Sequence, residues 1–153
     1  MQNISKCSLK EIENGIHQEP TNTILIQIVD IGMVFPKAYY LHIFEEIYQF
    51  KFMDFDIEKD FAISNTQAED IANILINAKK SSHNVLVHCV MGVSRSGGVC
   101  EAAQSIGFIF NREEKLTLPN LLVKQKIIKN LYESTKKGNT GIVFSNANYY
   151  SEE

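Results

Sequence analysis

The feature that most constrains this sequence is a short apolar run that ends in a cysteine and leads through a glycine-containing loop into a helical pattern. Residues 84–88 read Asn-Val-Leu-Val-His, which predicts a buried strand ending at Cys89. Apolar residues then recur at helical spacing from Val99 to Ile106, and Gly107 closes the pattern. Residues 88–96 are therefore predicted to form the corner between a buried strand and a helix.

The loop at this corner has the properties of a phosphate-binding site. A loop that opens a helix directs unpaired backbone N–H groups and the positive end of the helix dipole at one place. Gly92 allows the backbone to turn so that successive amides converge on an anion, and Arg95 adds a planar pair of donors. Cys89 lies in the same field, where a thiol ionises readily and becomes a nucleophile. The pattern predicts a phosphate cradle with a nucleophilic cysteine at its floor.

His88 to Ser96 resembles, with no position missing, the HC-x2-G-x-S-R-S signature of the cysteine-dependent tyrosine and dual-specificity phosphatases. The resemblance implies that Cys89 forms a phosphocysteine intermediate and that Arg95 binds phosphate and stabilises the transition state. It also implies that Ser96 hydrogen-bonds the departing thiolate and that His88 orients the loop and helps keep the cysteine ionised. The phosphate-binding set that it implies is Val90, Met91, Gly92, Val93, Ser94 and Arg95.

Such a reaction also needs a general acid to protonate the leaving oxygen, and a carboxylic acid usually supplies this proton. The stretch 48–53 alternates apolar and polar residues as a strand does, and Asp54 and Asp56 follow it. Spacing to the cysteine permits either acid. We favour Asp54, because Phe-x-Phe-x-Asp resembles the strand-then-acid pattern of small phage and bacterial members of the family, with Phe52 directed into the core. Three further acids are weaker candidates: Asp60, Glu58 and Asp30.

The rest of the chain predicts a single α/β domain, with a central, mostly parallel sheet of about four to five strands and helices on both faces. Thr23–Val29 is a nearly continuous apolar run, which is typical of a strand covered on both faces. Overlapping capping boxes start at Ser64 and at Thr66, and a helix that they open would lead into the signature strand. The signature loop then joins a strand to a helix.

Elements near the two ends complete the predicted domain, which we expect to span residues 1–137, with a partly disordered tail at 138–153. Residues 8–15 predict a short capped helix that ends at glycine. Pro119 predicts the start of a last helix, from Asn120 to about Tyr132. In the resembling proteins a polar residue after the signature helix often positions water or the loop, and Asn120 is a possible match. The residues of the last helix expected to face inward are Leu121, Leu122, Ile127, Ile128 and Leu131.

Composition argues against several other classes of protein. The net charge of −3 gives no general attraction to nucleic acid or to an anionic membrane. No apolar run approaches about eighteen residues, and residues 1–10 are mixed and polar, so we expect a soluble, cytoplasmic protein without a leader. Three cysteines without framework or zinc-ligand spacing argue against a disulfide scaffold and a metal site. We therefore expect no metal, no cofactor and no nucleic-acid partner, and favour a monomer.

The other two cysteines, Cys7 and Cys100, lack the surroundings of Cys89. We interpret Cys100 as a small apolar residue on the inner face of its helix and Cys7 as incidental. A redox role for Cys100 stays open at this point.

The resemblance and the apolar residues of the signature loop favour phosphoprotein substrates. The short chain resembles the dual-specificity type, which implies hydrolysis of phosphotyrosine and of phosphoserine or phosphothreonine. Relatives that act on RNA 5′-phosphates, nucleotides or phosphoinositides usually carry basic residues in the loop, whereas Val90, Met91 and Val93 are apolar. A phosphatase that acts on one of these non-protein phosphates remains an alternative, as does a weakly active phosphate-binding module. A sulfur-transfer or arsenate-reducing enzyme is a further alternative, which would need a resolving thiol.

Overall fold

The computed structural model describes residues 2–15, 21–37, 43–111, 116–138 and 140–145. Within these ranges the chain forms four strands and four helices that alternate for most of its length. In chain order they are β1 (Ile4–Ser8), α1 (Leu9–Asn14), β2 (Thr23–Val29), β3 (Glu46–Lys51), α2 (Asn65–Lys80), β4 (Asn84–Cys89), α3 (Arg95–Gln104) and α4 (Leu121–Lys137).

The four strands form one parallel sheet in the order β1-β4-β2-β3. The signature strand β4 therefore lies inside the sheet, with β1 on one side and β2 on the other. Every side chain of β2 is buried, as its continuous apolar run predicts. The α/β fold with a parallel sheet of four strands confirms the fold class predicted from the sequence.

Helices cover the two faces of the sheet unequally. The larger core joins one face of the sheet to α2, α3 and α4, and Phe52 is almost fully buried in it as predicted. A smaller cluster on the opposite face packs Ile12 of α1 against Leu25 and Leu86. The three longer helices thus form one layer, and that layer contains the helix that follows the signature loop.

Local sequence signals set the beginnings of the helices. Ser8 accepts a hydrogen bond from the Glu11 amide, and the Glu11 carboxylate accepts one from the Ser8 amide, which completes a capping box for α1. Ser64 and Gln67 form the same arrangement for α2, so the earlier of the two possible boxes is the one used. The cap of α4 is Asn120, whose side chain accepts from the Val123 amide.

One strand was missed, and two expectations about these elements were wrong. Strand β1 was not predicted, because Ser5, Lys6 and Ser8 hide its apolar pattern. Pairing with β4 and packing against α3 and α1 stabilise it. Leu121 was expected to face inward but is 54% exposed. The Asn120 cap sets the phase of α4 so that Val123 takes the inward position instead. The helix also runs on past Tyr132 to Lys137 because no breaking residue comes before Gly138.

The described part of the C-terminal segment returns to the domain. The Ser145 amide donates to the Ser105 carbonyl over 2.7 Å, and the Phe144 ring lies edge-on to Tyr132 with 5.3 Å between centroids. In the described ranges, no helix is long and apolar enough to cross a membrane. The predicted domain boundary at residue 137 stays a prediction.

Candidate active site

The candidate site lies at the carboxyl edge of the sheet, where parallel strands direct their following loops to the same place. Strand β4 ends at Cys89, Asp30 comes directly after β2, and Asp54 follows β3 by three positions. Strand β1 ends at Ser8, which is in register with Cys89. The sheet therefore brings the signature cysteine, two acids and the end of β1 to one edge.

The Cys89 sulfur accepts or shares two short polar contacts inside the signature loop. The Gly92 amide donates to Sγ over 3.2 Å, and the Ser96 hydroxyl lies 3.2 Å from the same sulfur. Arg95 begins α3, so the sulfur also lies at the N-terminus of that helix. The structure thus brings Cys89 and Ser96 together as the resemblance implied.

Gly92 holds the loop against the end of β1. Its φ is +72°, and a side chain there would place a Cβ 2.6–2.8 Å from the backbone of Cys7 and Ser8. The Leu9 amide donates to the Val90 carbonyl over 3.1 Å beside this contact. The glycine is required both for its backbone conformation and for the close approach to β1.

Arg95 is buried, and one edge of its guanidinium is held by the protein. Nη1 donates to the Phe52 carbonyl over 2.6 Å and lies 2.7 Å from the Asp30 carboxylate. Nε is buried and has no hydrogen-bond partner among the described residues. A buried donor of this kind is costly unless it finds an acceptor. Nε is therefore a donor that remains available to an acceptor such as an oxyanion.

His88 is fully buried, and burial lowers its pKa from 6.5 to about 4, although a hydrogen bond to the Cys89 carbonyl opposes part of this decrease. Its Nδ1 lies 3.4 Å from that carbonyl oxygen, and Nε2 has no partner among the described residues. The ring is consequently neutral at pH 7. The neutral ring brings no positive charge to the loop, and the expectation that His88 orients the loop and helps keep the cysteine ionised stays a prediction.

Asp54 contacts the signature loop directly. Its Oδ1 accepts hydrogen bonds from the Ser94 hydroxyl and from Asn120 Nδ2, both over 2.8 Å. The two donors converge on Oδ1, and Oδ2 makes no hydrogen bond with the described residues. Asp56, the second candidate, is exposed and makes no side-chain hydrogen bond or ion pair with the described residues. Of the two acids, Asp54 is the one joined to the loop that carries Cys89.

Asn120 has three contacts that join the acid to the helical layer. Its Oδ1 caps α4, while Nδ2 donates to Asp54 and, over 3.0 Å, to the Phe55 carbonyl. The backbone of Asn120 packs closely against α3 because Gly98 has no side chain. A Cβ at Gly98 would lie 2.8 Å from the Asn120 carbonyl oxygen. The possible match noted in the sequence is thus a residue that holds the acid-bearing segment in place.

Comparisons of the whole fold identify similar solved structures. Human DUSP28 superposes with a TM-score of 0.56 at 15% identity, covering 88% of this chain and 95% of that one. The human tyrosine phosphatase-like serine/threonine/tyrosine-interacting protein gives 0.51 at 19% identity, covering 76% and 79%. No family model and no curated protein sequence matches the chain.

The chain has the dual-specificity phosphatase fold. Its signature loop joins β4 to α3 at the edge of the sheet where the described functional side chains gather.

Within this dual-specificity phosphatase fold, the weaker acid candidates have other contacts. Asp30 holds Arg95, and Glu58 pairs with Lys126 over 2.8 Å. Asp60 is exposed. The sequence analysis missed the role of Asp30 as the anchor of the arginine, although its place directly after a buried strand beside β4 was a signal for it.

The remaining two cysteines are fully buried. Burial raises the pKa of the Cys100 thiol well above its usual value, and nearby Lys6 opposes that increase only in part. Cys100 therefore stays a protonated thiol on the inner face of α3, as predicted. Cys7 packs in the smaller core. Among the described residues, no group of three or more His, Cys, Asp or Glu side chains is placed to hold a metal ion.

A cleft of about 540 Å³ opens beside Asp54. Its described lining residues are Asp54, Asp56, Ser94 and residues 118–121. Leu118 and Leu121 are more than half exposed, and no Lys, Arg or His is among the described residues that line the cleft. The described lining of the space next to Asp54 thus combines apolar side chains with two carboxylates.

Proposed function

We propose that this protein is a phosphomonoester hydrolase that works through a phosphocysteine intermediate and dephosphorylates phosphotyrosine and phosphoserine or phosphothreonine in proteins. The observation that carries the proposal is the joining of three groups at one loop. The Cys89 sulfur contacts the Gly92 amide and the Ser96 hydroxyl. Arg95 has an Nε without a hydrogen-bond partner among the described residues. Asp54 is hydrogen-bonded to the same loop through Ser94. Nucleophile, oxyanion donors and acid are the parts that this reaction needs.

In the first step, the substrate phosphate occupies the loop, where backbone amides and Arg95 bind its oxygens. The Cys89 thiolate attacks phosphorus, so that a sulfur–phosphorus bond forms as the bond to the leaving oxygen breaks. The proton on Oδ2 of Asp54 passes to that oxygen. The dephosphorylated hydroxyl leaves, and Asp54 remains as a carboxylate.

In the second step, the Asp54 carboxylate takes a proton from a water molecule, whose oxygen attacks the phosphorus of the phosphocysteine. The sulfur–phosphorus bond breaks, and inorganic phosphate is released. The thiolate that departs is the sulfur that already lies 3.2 Å from the Ser96 hydroxyl. Ser96 therefore stabilises the leaving group of this step, and Asp54 is protonated again for the next cycle.

The cleft beside Asp54 supports a protein substrate over a polyanionic one. RNA 5′-phosphates, nucleotides and phosphoinositides bring further negative charge to the neighbourhood of the reacting phosphate. That charge would meet the carboxylates of Asp54 and Asp56, with no basic side chain among the described lining residues to offset it. A peptide instead offers apolar side chains, which the exposed Leu118 and Leu121 can cover. The two carboxylates carry the preference, since like charges that meet at a site oppose binding.

Hydrolysis of para-nitrophenyl phosphate tests the reaction itself. We expect turnover by the wild-type protein that persists in EDTA, is inhibited by vanadate, and disappears in Cys89→Ser. Trapping after rapid mixing with labelled phosphopeptide should place the phosphoryl group on Cys89. Turnover that survives in Cys89→Ser would contradict the covalent mechanism, and phosphate binding without turnover by the wild type would indicate a phosphate-binding module.

A matched substrate panel tests the substrate class. We expect kcat/KM for phosphotyrosine and phosphoserine peptides to exceed that for a nucleoside monophosphate, a 5′-phosphorylated RNA and a soluble phosphoinositide by about tenfold or more. The Asp56→Lys variant should reduce this difference in kcat/KM, because the added lysine should raise kcat/KM for the polyanionic substrates. A wild-type preference for any of the three polyanions would contradict the protein-substrate proposal and leave the phosphatase proposal intact.

A further inference from the structure

Lys6 is a buried lysine in β1 that contacts the signature loop. Only 4% of the residue is exposed, although lysine is among the residues least often buried. Its Nζ donates to the Gly92 carbonyl over 2.6 Å and to the Leu116 carbonyl over 2.8 Å. A buried ammonium is costly unless its donors are satisfied, so these two bonds fix where the side chain ends.

The bond to Gly92 determines the direction of the next amide. In a planar trans peptide, the C=O of one residue and the N–H of the following residue point in opposite directions. Lys6 holds the Gly92 carbonyl on the β1 side of the loop. The Val93 N–H must then point away from the Lys6 side chain, while the N–H of the preceding residue, Gly92, donates to Cys89 Sγ.

The bond to Leu116 joins this loop to the acid. Residues 116–120 run from that carbonyl to Asn120, whose side chain donates to Asp54. The backbone N–H of Asn120 also donates to the Ser94 carbonyl over 2.9 Å. One ammonium therefore connects the cradle that would bind phosphate with the segment that holds the proposed general acid.

We propose that Lys6 is a positioning residue that keeps the Val93 N–H directed into the phosphate cradle and ties the cradle to residues 116–120. The proposal rests on the proposed function only in taking the loop to be an oxyanion site. Lys6 does not touch the reacting atoms; it acts through the peptide between Gly92 and Val93. An oxyanion donor contributes only while it points at the oxyanion. If the Gly92–Val93 peptide is free to rotate, phosphate binding weakens and the rate of hydrolysis falls together.

The test compares Lys6→Met with Lys79→Met. Lys79 is a matched control because its Nζ also donates to a loop carbonyl, that of Gly107, away from the signature loop. The measurements are the dissociation constant for inorganic phosphate, kcat and KM for para-nitrophenyl phosphate, and the melting temperature. We expect Lys6→Met to weaken phosphate binding and lower kcat/KM about tenfold or more, and Lys79→Met to stay within about twofold.

A spectroscopic measurement separates positioning from general stability. In an amide NMR titration of the wild-type protein with phosphate, the Val93 N–H should shift strongly, and this shift should be lost in Lys6→Met. Phosphate affinity in Lys6→Met within about twofold of the wild-type value, or a Val93 amide unmoved by phosphate in the wild-type protein, would overturn the proposal. If Lys6→Met does not fold, the wild-type titration decides alone.

Phosphate binding is measured apart from turnover, so the two proposals fail separately. A wild-type protein that binds phosphate without hydrolysing the ester would defeat the proposed function and leave the role of Lys6 to the binding and NMR results.

Discussion

The signature loop and the acid segment, residues 54–60, lie side by side but are held in different ways. Cys89, Arg95 and Ser96 are almost completely buried, and the loop packs on the backbone of β1 through Gly92. Most side chains of the acid segment are exposed, and Asp54 is placed by two hydrogen bonds to one of its oxygens. The proposed nucleophile, Cys89, is thus positioned by close packing, and the proposed general acid, Asp54, by a few polar contacts.

Because of this difference, we expect substitutions in the two regions to affect stability and turnover differently. A change inside the packed loop disturbs neighbours that cannot move, so it alters folding and turnover together. A change in the exposed acid segment removes a hydrogen bond or a proton donor at little cost to the fold, because surface substitutions usually change stability by under about 0.5 kcal/mol. The two regions can therefore be examined independently by substitution.

Removing the nucleophile should have the largest effect on rate. Cys89→Ser is expected to lower kcat by about 10⁴-fold or more, because serine has no ionised sulfur to attack phosphorus, while phosphate binding in the loop persists. Calorimetric phosphate titration and para-nitrophenyl phosphate kinetics measure the two quantities. The control is Cys100→Ala, which should keep kcat within about twofold because that thiol takes no part in the reaction. Equal losses of kcat in Cys89→Ser and Cys100→Ala would contradict the different roles assigned to the two cysteines.

The acid segment should show a large kinetic effect without a stability effect. Asp54→Asn is expected to lower kcat on a phosphoserine peptide by about 10²–10³-fold, because the amide cannot supply the proton. The loss on para-nitrophenyl phosphate, which has a better leaving group, should be smaller, and the alkaline limb of the pH–rate profile should flatten.

Asp56→Asn is the control for Asp54→Asn, since Asp56 lines the same cleft without bonding to the loop. We expect its kcat to stay within about threefold and both variants to unfold within about 0.5 kcal/mol of the wild type. Equal, small kinetic losses would mean that neither carboxylate is the acid.

The packed loop should lose stability and activity together. Gly92→Ala is expected to lower the free energy of unfolding by about 2 kcal/mol or more, through the positive φ and the clash with β1, and to impair phosphate binding. Gly141→Ala is the control, because Gly141 also has a positive φ, of +70°, but open space around it. It should cost only about 1 kcal/mol of backbone strain and leave activity unchanged. Urea unfolding separates the two; a Gly92→Ala protein as stable as Gly141→Ala would contradict close packing at β1.

The buried histidine behind the loop predicts a pH dependence of stability. The pKa of His88 is about 4 in the folded protein and near 6.5 when unfolded, so the unfolded chain binds the proton more tightly. The contribution of His88 to the free energy of unfolding is complete above pH 6.5 and is lost as pH falls towards 4. Between pH 7 and pH 5 the loss amounts to about 2 kcal/mol. Urea unfolding at both values should show this loss, and His88→Gln should reduce it. An unchanged pH dependence in His88→Gln would show that the ring does not titrate in this way.

The smallest expected effect concerns the link between the two regions. Asn120→Ser keeps an oxygen that can cap α4 but removes the Nδ2 donor to Asp54, so we expect kcat to fall about tenfold with little change in stability. Asn120→Ala should show the same kinetic loss and unfold about 1 kcal/mol more easily, because the cap is also lost. Unchanged kcat in Asn120→Ser would show that the hydrogen bond from Asn120 does not position the acid.

The sequence by itself determined the features that depend on neighbours along the chain. The β4–loop–α3 corner, the buried β2 run, the capped helix at residues 8–15 and the Ser64 capping box were all predicted within a residue or two. Side-chain periodicity, loop glycines and caps act over a few positions, so a local pattern is sufficient to show them.

Only the tertiary structure decided which distant residues serve the loop. Asp30 anchors Arg95, Asn120 holds Asp54 from 66 positions away, and Lys6 reaches Gly92 across 86 positions. Strand β1 also became a strand only by pairing with β4. These contacts depend on the order of strands in the sheet and on the packing of α3 and α4 above it. Parallel strands bring sequence-distant ends to one edge, and no local pattern records which ends will meet there.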